Sequence, residues 1–257
     1  DWYLYVYGMA SYTHRRVVAI AEGSEALPAR LDKVENGLIT PGAGLQVSRD
    51  LGNSFRLSLG LDYNQWVQEG TYPASVSIGE VELVNNPGTQ IQEYNFESEI
   101  FSSLGSSAFS STSAENPFNV GFETLSPSDQ ATFEIDARRR VSYLSIPLSL
   151  EYVYHAYPFT FAIGGGISIN PVIGNVMEYS VPDSIPDLNF NDDGEFNKAY
   201  FAFHGGIAVE YSLSERISVR LNPVYRGWMT PIFDNEAIRT MPFGVALRAG
   251  LVYQFEK

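Results

Sequence analysis

The last strand of the chain carries the pattern that most constrains the fold. Between Pro242 and Phe255, the odd-numbered positions are all apolar and end in two aromatic rings, whereas the even-numbered positions are mostly small or polar. Successive side chains of a strand point to opposite faces, so one face of this strand is apolar. A membrane-barrel strand has this pattern, with lipid on one side and a polar lumen on the other. An edge strand of a soluble sandwich has the same alternation, so the other strands are needed to distinguish the two folds.

Seven further segments repeat the alternation and predict, with the last one, eight strands. They are residues 2–13, 39–48, 55–65, 141–154, 159–169, 201–211 and 217–228. The connections between them alternate in length. The short ones lie near residues 50, 156 and 214, and the long ones span residues 17–36, 68–137, 172–197 and 230–240. Outer-membrane barrels have short periplasmic turns and longer extracellular loops, which is the same order.

The bulky faces of the predicted strands distinguish a membrane barrel from a soluble one. A lipocalin-like barrel also has eight strands, but its interior is apolar and its exterior polar. These faces are too aromatic to fill the narrow lumen of an eight-stranded barrel, whereas the Gly and Ser faces fit there. We therefore predict an all-β protein in which residues 1–257 form one eight-stranded, antiparallel, up-and-down transmembrane β-barrel. We expect it in the bacterial outer membrane, with lipid as a partner.

Composition agrees with this fold class and excludes others. No apolar run approaches the length of a transmembrane helix, and aromatic residues reach 14% of the chain. The net charge of -14 argues against nucleic acid as a partner, because nucleic acid requires a basic surface. Cysteine is absent, which excludes disulfides. The chain begins at Asp1 without Met, so we expect it to be processed or trimmed.

The connection at residues 68–137, between the third and fourth strands, is long and acidic. It carries many carboxylates and almost no basic residues. Residues 79–96 alternate around Asn-Asn-Pro-Gly, which predicts a hairpin. Residues 105–113 are rich in serine, which predicts a mobile connection. We expect an extracellular loop that binds divalent cations or a basic patch of a partner protein, or that is a solvated cap.

Charged side chains share the parity of the Gly and Ser residues, so they are predicted to face the lumen. This set comprises Arg56, Asp62, Glu151, His204, Glu210, Arg220, Arg226 and Arg248. Arg56 and Glu151 lie on neighbouring strands at similar depth, as do Glu210 and Arg220, so both pairs are predicted to form cross-strand ion pairs. The set forms either a packed, plugged lumen or a gated proton or ion path. The narrow lumen favours the packed alternative.

Parts of the chain resemble a known barrel family. The strand arrangement, the run at residues 142–152 and the C-terminal residues are similar to the eight-stranded outer-membrane barrels of the Bacteroidota that are called PorT-like. The end of the last strand resembles the signal by which the barrel-insertion machinery recognises its substrates, in Arg248, Gly250, Tyr253 and Phe255. The resemblance implies an accessory subunit of a cell-envelope complex, with type 9 secretion as one setting and other envelope proteins as partners.

Enzymatic and metal-binding signatures are weak. His14 follows Ser11 by three residues, which raises the alternative of an outer-membrane lipid-modifying enzyme, but no local triad signature is present. Residues 189–194 resemble a calcium loop without its twelfth-position Glu, so a plain turn is the better interpretation. We predict a non-enzymatic protein without cofactor or metal. The lipid-modifying enzyme and a small ion channel are the alternatives.

Overall fold

The wall of the molecule is a closed β-barrel, seen in a computed structural model. The structure describes the backbone of residues 1–23, 25–78, 82–86, 89–102, 105–113, 130–180, 189–191, 197–234 and 238–255. It describes side chains within these ranges except at residues 73–133, 189–191 and 234. The elements are β1 (Trp2–Ala19), α1 (Leu27–Val34), β2 (Glu35–Gly37), β3 (Ile39–Leu51), β4 (Phe55–Ile78), β5 (Glu82–Asn86), β6 (Thr89–Ser102), β7 (Gly105–Ser113), β8 (Gln130–Ala156), β9 (Phe159–Ser180), β10 (Asn189–Asn191), β11 (Ala199–Ser212), β12 (Ile217–Trp228), β13 (Phe233–Asp234) and β14 (Ile238–Gln254).

Eight of these strands form the closed ring. Its order is β1, β3, β4, β8, β9, β11, β12 and β14, and every neighbouring pair is antiparallel. Pairing of β14 with β1 from Tyr3↔Gln254 to Ala19↔Ile238 closes the ring. A closed ring leaves no strand edge with unpaired backbone groups. A sheet that spans a bilayer must be closed in this way. The predicted eight-stranded, up-and-down barrel is confirmed.

Burial along the strands shows which side chains point out of the barrel and which point into it. On β4, Leu59 is 57% exposed and Phe55, Leu57 and Leu61 are exposed as well, whereas the intervening Arg56 is 2% exposed. A soluble barrel has the opposite arrangement. The apolar outward run of β4 ends at Tyr63, which matches the about 9–11 residues that a tilted strand needs to cross a bilayer. The exterior is therefore suited to lipid and the interior to polar groups.

Aromatic side chains mark both edges of the apolar exterior, as in membrane barrels. The edge near the short turns carries the exposed rings of Trp2, Phe55, Tyr152, Tyr154, Phe159, Tyr211, Tyr253 and Phe255. The opposite edge carries those of Tyr12, Tyr63, Phe201, Phe203, Tyr225 and Phe243. The short turns define the periplasmic end, and the long connections define the extracellular end.

Cysteine labelling checks this orientation, because the chain has no cysteine of its own. Glu22 lies exposed at the end with the long connections, and Glu215 lies exposed in a short turn. We expect an impermeant maleimide to label Glu22→Cys on intact cells and to label Glu215→Cys only after the outer membrane is opened. Labelling of Glu215→Cys alone on intact cells would reverse the orientation.

Three strands continue far beyond the apolar exterior at the extracellular end. β4 has 24 residues, β8 has 27 and β9 has 22. β4 and β8 pair as far as Ser77↔Gln130, so both ends of the predicted connection at residues 68–137 are strand. The central part of that connection includes residues outside the described ranges. Backbone pairing between two long neighbours extends the wall even where the side chains are polar.

The hairpin predicted at residues 79–96 is confirmed where it is described, since β5 pairs with β6 from Glu82↔Glu93 to Asn86↔Thr89. The prediction of a mobile connection at residues 105–113 is wrong. That segment is β7, which pairs with β6 from Ser102↔Gly105 to Tyr94↔Ser113. A neighbouring strand supplies hydrogen-bond partners to the backbone whatever the side chains are. The serine content of the segment carries no information about such a neighbour.

A short helix lies in the first long connection, where the sequence predicts only a polar link. Pro28 stands in the first turn of α1, a position that suits its fixed φ angle and missing N–H. Leu31 is the buried residue of this helix. No helix in the described ranges is long and apolar enough to cross a membrane.

Candidate functional site

All eight predicted lumen side chains are buried in the interior of the barrel. They are accompanied by Tyr3, Tyr5 and Tyr7, three buried tyrosines that share the inward face of β1. Each ring lies beneath a guanidinium group, which is a favourable contact of a cation with an aromatic face. The distances from Cζ to ring centroid are 4.1 Å for Arg56 over Tyr3, 5.3 Å for Arg220 over Tyr5 and 5.1 Å for Arg248 over Tyr7.

Five charged residues near the periplasmic end form a continuous chain, which we call the lower layer. Arg56 donates from Nε to Asp50 Oδ1 at 2.9 Å and from Nη1 to Glu210 Oε1 at 2.9 Å. Arg220 donates to the same Glu210 oxygen at 2.7 Å and also to Glu151. Acids and bases thus alternate across the lumen, and each guanidinium bridges two carboxylates.

One of the two predicted ion pairs is different in the structure. Glu210 and Arg220 pair as register neighbours. Arg56 and Glu151 are also register neighbours, but Arg56 pairs with Asp50 and Glu210, whereas Glu151 pairs with Arg220. In a lumen this narrow, a long side chain reaches the opposite wall as easily as the adjacent strand, so neighbouring position does not decide the partner.

A second group of charges, the central layer, is organised around one carboxylate. Asp62 is 0% exposed and accepts hydrogen bonds from Arg248 Nη2 at 2.9 Å, from Arg226 Nη2 at 3.4 Å and from the Tyr7 hydroxyl. Arg226 also donates to the Tyr143 hydroxyl at 3.2 Å. One buried acid therefore serves two buried cations.

Two glycines flank Tyr7 in this layer. Gly44 and Gly250 are its register neighbours on β3 and β14. A Cβ atom on Gly44 would lie 2.7 Å from Cζ of Tyr7, so this glycine makes room for the ring. A Cβ atom on Gly250 would lie 2.0 Å from the Val6 carbonyl oxygen, so this glycine allows the backbone of β1 to approach closely.

A serine and a histidine meet in the same interior. The Ser149 hydroxyl and Nε2 of His204 are 2.8 Å apart, and both side chains are buried. The cavity beside them measures about 20 Å³, which is room for about one water molecule. A hydrolase needs a substrate carbonyl within reach of such a pair, and a lipid does not fit there.

The pair considered for lipid chemistry, Ser11 and His14, does not come together. The two residues have opposite parity on β1, and the ring of His14 packs edge-on against Phe243, with centroids 5.4 Å apart. Alternation in a strand separates residues three apart onto opposite faces.

Apolar and aromatic side chains close the extracellular part of the lumen, and we call them the upper cluster. It consists of Leu31, Trp66, Tyr72, Ile135, Ala137, Val141, Tyr143, Tyr200, Ala202, Trp228, Ile232, Phe233 and Ile238. Leu31 belongs to this cluster, so α1 packs against the filled interior at the extracellular end. No local sequence pattern shows this closure, because these residues come from six strands, one helix and a loop.

A buried carboxylate ties the helix to the wall. Glu35 pairs with Nη2 of Arg15 at 2.6 Å and accepts a hydrogen bond from the Tyr72 hydroxyl at 2.6 Å and another from Gln68. Arg15 also donates to the Leu31 carbonyl at 3.0 Å. Burial, and then the charge of Glu35, raise the pKa of Tyr72 above its usual range. The inward parity of Arg15 is the sequence signal that points to this contact.

Glu35→Gln tests the attachment of α1. The change removes the charge that balances Arg15, whose guanidinium would remain buried, so we expect the helix to detach locally. Trypsin should then cleave after Arg30 and Lys33, which are exposed on α1, at least about tenfold faster. Asp32→Asn is the control, because Asp32 lies 3.7 Å from Arg15 and is largely exposed. Equal cleavage of Glu35→Gln and the unaltered protein would show that Glu35 does not hold the helix.

The residues that resemble the insertion signal divide between the two faces of β14. Arg248 is buried against Asp62, and Gly250 lies beside Tyr7. Tyr253 and Phe255 are exposed, and their rings pack edge to face with centroids 5.3 Å apart. The polar residue of the segment is thus also part of the central layer.

The calcium-loop segment is described only at residues 189–191, which form β10 against β7. Residues 192–194 lie outside the described residues. Across the described chain, no three or more His, Cys, Asp or Glu side chains gather as a metal site would require.

Comparisons with known proteins give similarity to solved barrels only. No protein-family model and no curated protein matches the chain. Neisserial surface protein A is 12% identical over 99% of this chain and 97% of its own, with a TM-score of 0.38. OprG from Pseudomonas aeruginosa is 8% identical over 100% and 96%, with a TM-score of 0.42. The outer membrane protease OmpT from Escherichia coli is 9% identical over 99% and 96%, with a TM-score of 0.41.

At these identities and scores, no residue role is carried over from those proteins. The chain's own features are the closed wall, the apolar belt with two aromatic edges and the polar interior. Barrels with this combination span outer membranes. The protein is a transmembrane β-barrel of the outer-membrane type with a filled lumen.

Proposed function

We propose that the protein is a non-enzymatic outer-membrane barrel that acts as an accessory subunit of a cell-envelope complex. The observation that carries the proposal is the filling of the lumen by the lower layer, the central layer and the upper cluster. A barrel filled in this way has its lipid-facing wall and its extracellular end as working surfaces. The wall faces lipid and is open only to a partner within the membrane, so we take the extracellular end as the docking surface.

The shape of that end supports docking of another protein. β4, β8 and β9 rise beyond the apolar belt, and β6 joins the outer end of β4 at Ser77↔Glu97. β7 pairs with β6 and extends the same sheet. A raised sheet offers backbone groups and a fixed shape, which partner proteins use by strand addition or by side-chain contacts.

The cellular setting rests on the resemblance to PorT-like barrels of the Bacteroidota. Some members of that group are implicated in type 9 secretion, and others have no assigned role. A secretion complex is therefore the setting that we propose. The acidic composition of residues 68–137 favours a partner with a basic patch, because complementary charge speeds association and aligns the two surfaces.

Two alternatives have less support. A lipid-modifying enzyme needs a serine and a histidine open to lipid, whereas Ser11 and His14 lie on opposite faces and Ser149 lies inside the barrel. An ion channel needs a continuous aqueous path, whereas Arg56 and Arg220 bridge the lumen near its periplasmic end. Lipid hydrolysis by the pure protein would favour the first alternative, and stepwise conductance in planar bilayers would favour the second.

Deletion of residues 78–129 tests the docking role. β4 and β8 pair as far as Ser77↔Gln130, so a two-residue Asn-Gly turn can join them while the barrel is kept. We expect the variant to fold and insert, and to lose a protein that co-purifies with the intact chain. Heat-modifiable migration on gels reports folding, and mass spectrometry of native preparations reports partners.

A matched control exchanges the periplasmic turn at residues 213–216 for another four-residue turn. This control should retain the partner. A deletion variant that keeps every co-purifying protein would remove the extracellular sheet as the docking surface and leave the lipid-facing wall as the alternative.

A further inference from the structure

The lower layer and the central layer carry opposite formal charges. The lower layer consists of the carboxylates of Asp50, Glu151 and Glu210 and the guanidinium groups of Arg56 and Arg220, so its formal charge is -1. The central layer consists of the carboxylate of Asp62 and the guanidinium groups of Arg226 and Arg248, so its formal charge is +1. A net charge in an interior with little water is costly unless an opposite charge lies close by. The two layers therefore balance each other across the boundary between them.

Each layer brings one polar atom without a partner to this boundary. Glu151 accepts a hydrogen bond from Arg220 with Oε1, whereas its Oε2 has no hydrogen-bond partner in the described part of the chain. Arg248 donates from Nη2 to Asp62, and its Nε also has no partner there. Both residues are more than nine-tenths buried, and both line the cavity of about 20 Å³ beside Ser149 and His204.

Two glycines create the gap in the packing at this point. Gly164 of β9 is the register neighbour of Gly206 on β11 and of Glu151 on β8. Both glycines share the parity of buried neighbours, so their positions face the lumen without a side chain to fill it. The buried amides of Gln46 and Asn222 also line the cavity, and an amide can both donate and accept.

We propose that this cavity binds one water molecule, which donates to Oε2 of Glu151 and accepts from Nε of Arg248. The volume is that of about one water, and a buried water needs about two to four polar partners, which this lining supplies. The water joins the two layers, so the hydrogen-bonded network runs unbroken from Asp50 in the lower layer to Asp62 in the central layer. This site does not depend on the docking role.

Other occupants do not fit the chemistry of the lining. A monovalent cation cannot accept the hydrogen bond of Arg248 and is repelled by its charge. Chloride cannot donate to Glu151 and is repelled by that carboxylate. An organic ligand exceeds the volume of about 20 Å³. A neutral molecule of this size that both donates and accepts is water.

Nuclear magnetic resonance of the full chain in detergent micelles tests the site, with labelled arginine side chains and with water itself as the probe. Contacts with the ring of Tyr7, which lies beneath the guanidinium, assign the Nε–H proton of Arg248. We expect a rotating-frame cross-peak between this proton and water, of opposite sign to the diagonal. A held water gives this sign by dipolar contact, whereas direct proton exchange gives the other sign.

Val224→Ile and Ser149→Thr each add one methyl group to the lining, and each should abolish the cross-peak, because the cavity cannot hold both the methyl group and the water. Val153→Ile is the matched control. Val153 is a buried valine that does not line the cavity, so this variant should keep the cross-peak.

Two results would overturn the inference. One is the absence of the cross-peak in the unaltered protein. The other is its persistence in Ser149→Thr, which keeps the hydroxyl and would show that exchange through this hydroxyl relays the signal. Ser149→Thr also decides the test if Val224→Ile does not fold.

Discussion

Asp62→Ala should lower the free energy of unfolding by about 3–5 kcal/mol, the usual loss when one partner of a buried charge pair is removed. Asp62 is fully buried and is the carboxylate that Arg226 and Arg248 share. Its removal leaves two guanidinium groups facing each other in an interior with little water. The Tyr7 hydroxyl loses its acceptor as well.

Urea unfolding of the protein in lipid vesicles measures this loss, with tryptophan fluorescence as the signal. Trp66 and Trp228 lie in the upper cluster and report the packing of the interior. The double variant Asp62→Ala with Arg248→Met should recover part of the stability, because it removes one of the unbalanced cations. An unfolding midpoint for Asp62→Ala equal to that of the unaltered protein would mean that water or ions already screen these charges.

Arg220→Ala is the second change for which we expect a large loss, on the order of 3 kcal/mol. Arg220 bridges Glu151 and Glu210, and its removal leaves Glu151 without the guanidinium that it contacts. Arg56 still pairs with Glu210 at 2.9 Å, which keeps the loss below that of Asp62→Ala. The ring of Tyr5 also loses the cation above it.

The same urea experiment measures this effect, with two comparison variants. Arg220→Lys keeps the positive charge but lacks the forked guanidinium that bonds two carboxylates at once. The stability of this variant should therefore lie between that of Arg220→Ala and that of the unaltered protein. Arg216→Ala removes a positive charge from an exposed turn and should change stability by less than about 0.5 kcal/mol. Equal losses for Arg216→Ala and Arg220→Ala would show that net charge, and not the lower layer, is responsible.

The alternation of side chains determined the wall of this protein from the sequence alone. On β4, Phe55, Leu57 and Leu59 alternate with Arg56 and Ser58, and only one assignment of these faces suits a barrel with a narrow lumen. The period of two acts within each strand and does not depend on neighbours. The same parity places every predicted charge inside, from Arg56 to Arg248.

Pairing within the lumen required the tertiary structure. Parity states which face Arg56 occupies, but Arg56 reaches across to Glu210, and Glu151 takes Arg220 from the opposite wall. In a closed ring, side chains from strands distant in sequence converge on one axis. Their distances follow from strand tilt and curvature, which no local pattern carries.

The extracellular end was also decided only in three dimensions. Glu35 is distant in sequence from both Arg15 and Tyr72, and the three meet because β2 pairs with β4 beside β1 at this end of the barrel. The outer part of β8, which is polar, is strand because β4 and β9 pair with its backbone. Local patterns determine faces because side-chain direction is a property of a single strand. Partners and strand ends depend on hydrogen bonds between strands, and those exist only once the ring is closed.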